Sequence, residues 1–274
     1  MTMTVATRPP SRRSAFSRVP RSTVLGLAGL VAFGVVLEAL PRLLHLASNV
    51  LPPLSSILSA LAGELSTAVF WRAVLDTLVQ WALGLSIAVV AGVSVGVVIG
   101  SVPVLRRVTA STIEFLRPIP SVALVPLAVL LFGTQLRSAL LLIVYASFWQ
   151  VLVQTMYGVG DVDPVADQTA RCYGLGRWAR VRYVLWPTAL PYVATGVRLS
   201  ASVALILAIT AELVIGSPGL GQEITAAQSG GATALAYGLI LVTGIFGLVV
   251  NVGVRALERR VLSWHVSVRG EVAS

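Results

Sequence analysis

An all-α polytopic membrane protein of about six transmembrane helices is the fold class this sequence predicts, and three observations predict it. Of its 274 residues, 56% are hydrophobic and only 11% are charged, well under the quarter or so of charged residues in a soluble domain. The apolar residues gather in six stretches, near 24–44, 76–101, 112–133, 138–159, 190–215 and 235–257, each long enough for the ~20 residues a spanning helix needs. The alternation of a membrane β-barrel is missing. Because lipid offers no partners to open backbone, such stretches must close their hydrogen bonds within themselves.

Taken in chain order, residues 1–22 hold Pro9 and Pro10 among Ser and Arg, a composition that predicts a disordered tail. Ser11-Arg12-Arg13-Ser14-Ala15-Phe16 resembles a twin-arginine export signal, but its aromatic residue falls one place late and the next apolar run is long enough to span. After the first span, residues 54–65 read as a short amphipathic helix on the outer side. The second span carries Gly92, Gly96 and Gly100 at a spacing of four, which puts them on one helical face where a neighbour can approach closely. The third holds Pro118, Pro120 and Pro126, which should kink or break its first half. A break at membrane depth is tolerated inside protein or beside a wet cavity, so Pro118 and Pro120 are candidate pathway residues. Glu114 and Arg117 are spaced to pair along that helix.

A charged island, 160–188, separates the fourth and fifth spans. Asp163-Pro164 predicts a helix N-cap and first residue, and Gly174 the left-handed residue just past its end. A second short helix runs from about Arg177 to Pro187, which withholds a backbone donor. On the first of these helices Ala166, Ala170 and Tyr173 share a face, while Gln168 and Arg171 point elsewhere. In the fifth span Arg198 can snorkel. Ser200, Ser202 and Thr210 are candidate polar pathway liners, or else bond back to their own helix. Glu212, near the end of that span, would be costly to bury unless backbone amides hold it or it lines the pathway. Gly216-Ser217-Pro218-Gly219-Leu220-Gly221 is a loop signal, with Gly219 and Gly221 as gate candidates, and 222–228 can form a short helix. Residues 263–274 form a second tail.

Charge placement predicts the orientation. All 20 basic residues are Arg. Arg8, Arg12, Arg13, Arg18 and Arg21 precede the first span. Arg106 and Arg107 lie between the second and third, and Arg171, Arg177, Arg180 and Arg182 between the fourth and fifth. Arg255, Arg259, Arg260 and Arg269 follow the last; the opposite side has mainly Arg42, Arg72 and Arg137. The asymmetry places both termini and the charged island in the cytoplasm. It attributes the net charge of +9 to topology and anionic membrane lipid rather than to nucleic acid, for which no basic stripe with interleaved aromatics exists.

The same composition excludes several chemistries. A phosphate-binding P-loop needs Lys, and this chain has none, so any ATP and Mg would be handled by another polypeptide. No nucleophile elbow and no paired intramembrane carboxylates are visible. Cys172 is the only cysteine, which rules out an internal disulfide and makes it by default a small packing residue. His45 and His265 fall on opposite membrane sides and cannot share a metal. A cofactor in this chain and an enzyme activity are therefore not expected.

Gln168-Thr169-Ala170, Gly174, Val184, Trp186 and Pro187 resemble the EAA loop of ABC importer permeases, Glu-Ala-Ala, three residues, Gly, nine residues, Ile-x-Leu-Pro. Gln168, Thr169, Val184 and Trp186 depart from it. The run from Phe115 to Leu127, Leu51-Pro52-Pro53, and Ala211-Glu212-Leu213 before Gly219-Leu220-Gly221 resemble its nitrate, taurine and aliphatic-sulfonate branch; together the similarity covers about 50–262. It implies a type I ABC importer permease (MetI-like) fold over 23–262 in a bacterial inner membrane, with 160–188 as the coupling loop. It also implies a cytoplasmic ABC ATPase dimer, an extracytoplasmic solute-binding protein or lipoprotein, and a second, identical permease chain as partners. A secondary transporter or channel would need midplane coupling charges or an inverted repeat, and neither is evident; an integral-membrane enzyme would need a catalytic constellation.

Overall fold

The computed structural model describes residues 21–44 and 50–264. The readings on the two tails, on the export-signal resemblance, and on Arg8, Arg12, Arg13, Arg18, His45, His265 and Arg269 lie outside them. The described residues form helices and their connections, with no strand among them. Five helices are long and apolar enough to cross a membrane, six if one bent pair counts as a single span.

The first helix, α1 (Arg21–Leu43), is exposed along most of its length. It is tied to α2 (Leu54–Glu64) through Glu38, whose carboxylate accepts from the Ser55 backbone N–H at 2.9 Å and from the Ser55 hydroxyl at 3.0 Å and pairs with Arg42. The next helix, α3 (Ala68–Ser101), starts where the Thr67 hydroxyl accepts from the Phe70 N–H at 3.2 Å. At 34 residues it is about 51 Å long at the usual rise, so it overreaches the hydrocarbon. Arg72 and Asp76 interrupt the hydropathy of its first turns, which is why the apolar run alone began the span at 76.

Three helices make the centre: α3, α6 (Leu136–Gly160) and α9 (Trp186–Ile215), with α6 packed along both of the others. Small residues set the approach. A Cβ on Gly92 would lie 2.8 Å from Val151 Cβ, one on Gly96 2.7 Å from Thr155 Cβ, and one on Gly100 2.9 Å from Val159 Cβ. Gly158 of α6 likewise admits Ala189 and Tyr192 of α9. Lipid tails are as apolar as the side chains, so close van der Waals packing replaces the hydrophobic drive. The predicted glycine face is thus packing surface. Leu142, Ile143, Ala204, Ala208 and Ala211 fill the core beside it. A second core joins the start of α3 to α10 (Leu220–Ser229) and α11 (Thr233–Val261) through Phe70, Ala73, Leu220, Ile224 and Leu239.

The stretch predicted as a third span at 112–133 is two pieces. The first, α4 (Pro103–Leu116), begins nine residues earlier, and a 3₁₀ turn at Ser121–Leu124 leads into α5 (Val125–Phe132) after a bend of 81°. The break lies at Pro118 and Pro120, as expected. Pro126 causes none, because it occupies the first turn of α5, where a missing N–H costs nothing. The Leu116 carbonyl would look for a donor at Pro120, which has none. It accepts instead from the Tyr145 hydroxyl at 2.7 Å and the Ile119 N–H at 3.2 Å.

Pro187 does not end the second island helix. After α7 (Pro164–Cys172), α8 (Arg177–Arg180) runs through a π-helical turn at Val181–Leu185 into α9 without a break, and Pro187 sits in the first turn of α9. Widening the helix to i→i+5 pairing makes room for the proline ring and reroutes the carbonyl it would have left unpaired. Arg198 pairs with Glu258 of α11 at 3.4 Å rather than snorkelling alone.

Candidate functional site: an exposed hairpin and a buried carboxylate latch

The two ends of α9 carry the two constellations singled out from the sequence. At its start, α7 and α8 form a hairpin between α6 and α9. The Asp163 carboxylate accepts from the Val165 N–H at 2.8 Å, closing the N-terminus of α7. Gly174, at φ 74°, ends the helix: its N–H bonds the Arg171 carbonyl at 2.9 Å and the Leu175 N–H bonds the Ala170 carbonyl at 3.0 Å. This pair of bonds is the Schellman arrangement, which favours a residue without Cβ at the left-handed position. Asp167 binds Arg171 at 2.7 Å and Arg180 at 3.5 Å, tying α7 to α8. The Tyr192 hydroxyl donates to Asp161 at 2.7 Å and fixes the root of the hairpin to α9.

The face that presents itself differs from the one read from helical spacing. Ala170 is only 7% exposed and packs inside the hairpin, so its small size serves internal closure. Ala166, Gln168, Thr169 and Arg171 are exposed, and Pro187 is half-buried at the root. Tyr173 is 82% and Trp178 87% exposed, with Val165 and Tyr183 also open. Cys172 is exposed as well, not packed as expected. Trp178 was not among the residues expected to act; a lone tryptophan between two arginines in a polar island was the available signal.

At the other end of α9, Glu212 is fully buried. Its Oε2 accepts from the Thr77 hydroxyl at 3.0 Å and the Gly221 N–H at 2.9 Å, and Oε1 from the Gln80 amide at 3.3 Å. The Thr77 hydroxyl accepts from the Leu220 N–H at 2.9 Å. Gln80 also donates to the Pro218 carbonyl and accepts from the Ser217 hydroxyl at 3.3 Å. A buried carboxylate demands such saturation. Gly219 adopts φ 153°, and any Cβ there would collide with the carboxylate; one on Gly221 would lie 2.6 Å from Glu212 Cβ. The network therefore locks the loop 216–221 and α10 onto α3. Thr77 and Gln80 escaped the sequence reading, although two polar residues three apart in an apolar helix marked them.

The other predicted liners are dispersed. Ser200 is buried and bonds the Val197 carbonyl at 3.0 Å, Thr210 bonds the Ile206 carbonyl at 2.7 Å, and Ser202 is exposed on α9. Pro118 lines a cavity between α4 and α6, and Pro120 caps the 3₁₀ turn. Among the described residues no group of His, Cys, Asp or Glu could hold a metal.

A bundle of helices long and apolar enough to cross a membrane, with an exposed hairpin between two of them, defines the class of a membrane-embedded helical protein. The chain belongs to the family of binding-protein-dependent transport system inner membrane components, whose pattern matches residues 84–263. It is 32% identical over 254 residues to the taurine transport system permease protein of Escherichia coli, covering 91% of this chain and 92% of that one. A putative aliphatic sulfonates transport permease protein of Bacillus subtilis is 31% identical, over 77% of this chain and 73% of its own. A nitrate import permease protein of Leptolyngbya laminosa is 26% identical, over 70% and 69%. Two solved structures share the fold. An amino acid ABC transporter chain superposes with a TM-score of 0.60 at 21% identity, over 73% of this chain and 97% of that one. An inward-facing methionine ABC transporter chain does so at 0.59 and 20%, over 70% and 96%. The chain is a transmembrane permease subunit of an ABC importer with the type I permease fold.

Proposed function

We propose that this chain, as two identical copies in a bacterial inner membrane, forms the pathway through which a small organic sulfonate, taurine foremost, or a nitrate-like oxyanion is imported. The hairpin of α7 and α8 inserts into a cytoplasmic ATPase, one hairpin per ATPase subunit, and ATP and Mg act there. The loop 216–221 and α10, held by Glu212 with Gly219 and Gly221, face the other side, where a solute-binding protein delivers the substrate, with Pro118, Pro120, Ser202 and Thr210 along the route. Permease domain, coupling loop and tails keep the divisions 23–262, 160–188, 1–22 and 263–274. The arginine asymmetry supports the orientation, and the similarity to the taurine permease supports the substrate class.

The observation that carries the reading is the hairpin. It is held internally by a cap, a Schellman turn and Asp167, yet it leaves Tyr173 and Trp178 in solvent. Exposed aromatics beside arginines are the composition of interface anchors. Movement of a body continuous with α9 is movement of a spanning helix. Cys172, exposed on α7 and the only cysteine, supplies the test. A short thiol–amine crosslinker should join Cys172 to the ATPase in the purified complex, and Cys172→Ser should abolish the product. A thiol that reacts only from the extracytoplasmic side, or that never reaches the ATPase, defeats the coupling role. Uptake of labelled taurine by proteoliposomes carrying the complex and its binding protein tests the substrate.

A further inference from the structure

A cavity of about 570 Å³ lies at the root of the hairpin, between the end of α6, the start of α9 and the residues that follow α11; Asp161, Pro187, Thr188, Pro191, Tyr192 and Trp264 stand in its wall. Much of that wall has no donor to offer. The two prolines lack an N–H, and the Thr188 and Thr195 hydroxyls already donate to the Val184 and Pro191 carbonyls at 2.8 and 3.0 Å. Asp161 is the one charged residue in it. Of the aspartates of the island, Asp163 is used by the cap of α7 and Asp167 by Arg171 and Arg180. Asp161 receives the neutral Tyr192 hydroxyl, and among the described residues no cation pairs with it. It is open to solvent, so it needs no further partner but has room for one.

The chain itself is led to this cavity. Glu258 of α11 pairs with Arg198 of α9 at 3.4 Å, the Leu262 N–H bonds the Glu258 carbonyl at 2.8 Å, and the Leu262 side chain is 3% exposed. These contacts pin the end of α11. Trp264, two residues on and the last residue described, is already in the cavity wall. His265-Val266-Ser267-Val268-Arg269 come next, with Arg269 as their fixed charge. In an extended segment Val266 and Val268 fall on one side and Ser267 and Arg269 on the other, which matches a space walled by prolines and by a carboxylate. Five extended residues reach at most ~17 Å, enough to cross a cavity of this volume.

We propose that residues 265–269 of this same chain fold back into the cavity, with Val266 and Val268 against Pro187 and Pro191 and the Arg269 guanidinium on Asp161, and so brace the root of the hairpin against the end of α11. The tether makes this cheap. A segment held by so short a connection is present at millimolar effective concentration, so even a contact with a millimolar Kd is substantially populated. The ion pair, at the surface, adds a factor of about two to five. The seat depends neither on what the chain transports nor on which side of the membrane the hairpin faces.

The test uses the full-length chain in nanodiscs, with and without its ATPase, in a Cys172→Ser background. A maleimide should alkylate Val268→Cys about fivefold more slowly than Ala273→Cys, which lies further along the same tail, because a seated thiol is shielded while the contact is populated. Arg269→Gln and Asp161→Asn should each reduce that protection to about twofold, and the two together no further, since they remove one and the same ion pair. Val268→Cys combined with Thr188→Cys should form a disulfide within one chain on mild oxidation, identified in the peptide map. Equal alkylation at 268 and 273 overturns the proposal. Protection that disappears when the ATPase is stripped away also overturns it, and assigns the segment to the ATPase. Protection that survives both Arg269→Gln and Asp161→Asn undiminished overturns it as well, and assigns the segment to the lipid surface. Val268→Cys, Ala273→Cys and Arg269→Gln all lie in the tail, so the alkylation comparison decides the matter even where Thr188→Cys fails to fold.

Discussion

The two ends of α9 are built on opposite plans. At the C-terminal end both carboxylate oxygens of Glu212 are answered from within the chain, by Thr77, Gln80 and the Gly221 amide, with Ser217 and the Leu220 amide bonded to the same Gln80 and Thr77. At the N-terminal end the backbone is just as well closed, by Asp163 and the Gly174 turn, but the large aromatic side chains are left open. Tyr173 and Trp178 stand in solvent. The first end is a finished piece of structure, and its energy is spent on the fold. The second is rigid without being satisfied, which is the condition of a surface that a partner completes. Between them a π-turn and a continuous helix join the hairpin to the spanning segment.

That contrast can be broken most decisively at Glu212. Glu212→Ala would leave the Thr77 hydroxyl and the Gly221 N–H buried without an acceptor and take one of two acceptors from the Gln80 amide, and at ~1–3 kcal/mol per orphaned donor should cost about 3–5 kcal/mol. Thermal unfolding in detergent would show it, and a melting temperature within 2 °C or so of wild type (~2–4 °C per kcal/mol at this size) would mean the latch is not structural. Trp178→Glu should do the reverse. Stability should stay within about 0.5 kcal/mol of wild type, while affinity for the ATPase falls by about 2 kcal/mol or more, roughly thirtyfold. Titration of labelled ATPase onto reconstituted permease measures it, and equal loss of stability and affinity would erase the distinction between the two ends. Asp163→Ala removes the cap of α7 and should cost about 1 kcal/mol, confined to the hairpin. Hydrogen exchange should accelerate in 164–173 and leave 205–215 untouched. Arg171→Ala, which removes an exposed i,i+4 pair while Arg180 still holds Asp167, should change stability by only about 0.3–0.5 kcal/mol.

The sequence by itself determined the helical class, the main spans, the hairpin with its cap and terminating glycine, and the break at Pro118 and Pro120. All of these follow from local rules: hydropathy against bilayer thickness, φ and donor restrictions at Pro and Gly, side-chain capping within a few residues. It also identified Glu212 as a carboxylate in need of partners. It misjudged Pro187 and Pro126, because a proline's effect depends on whether it falls in a first turn, and that position is set by where the neighbouring helix begins. Which partners Glu212 finds was decided only by the tertiary structure, since Thr77 and Gln80 lie more than 130 positions away. So was the inward turn of Ala170, fixed by the packing of α7 on the π-turn. The failed pairing of Glu114 with Arg117 belongs with them. Helical spacing made it possible, but no ion pair joins them, and both line the cavity between α4 and α6.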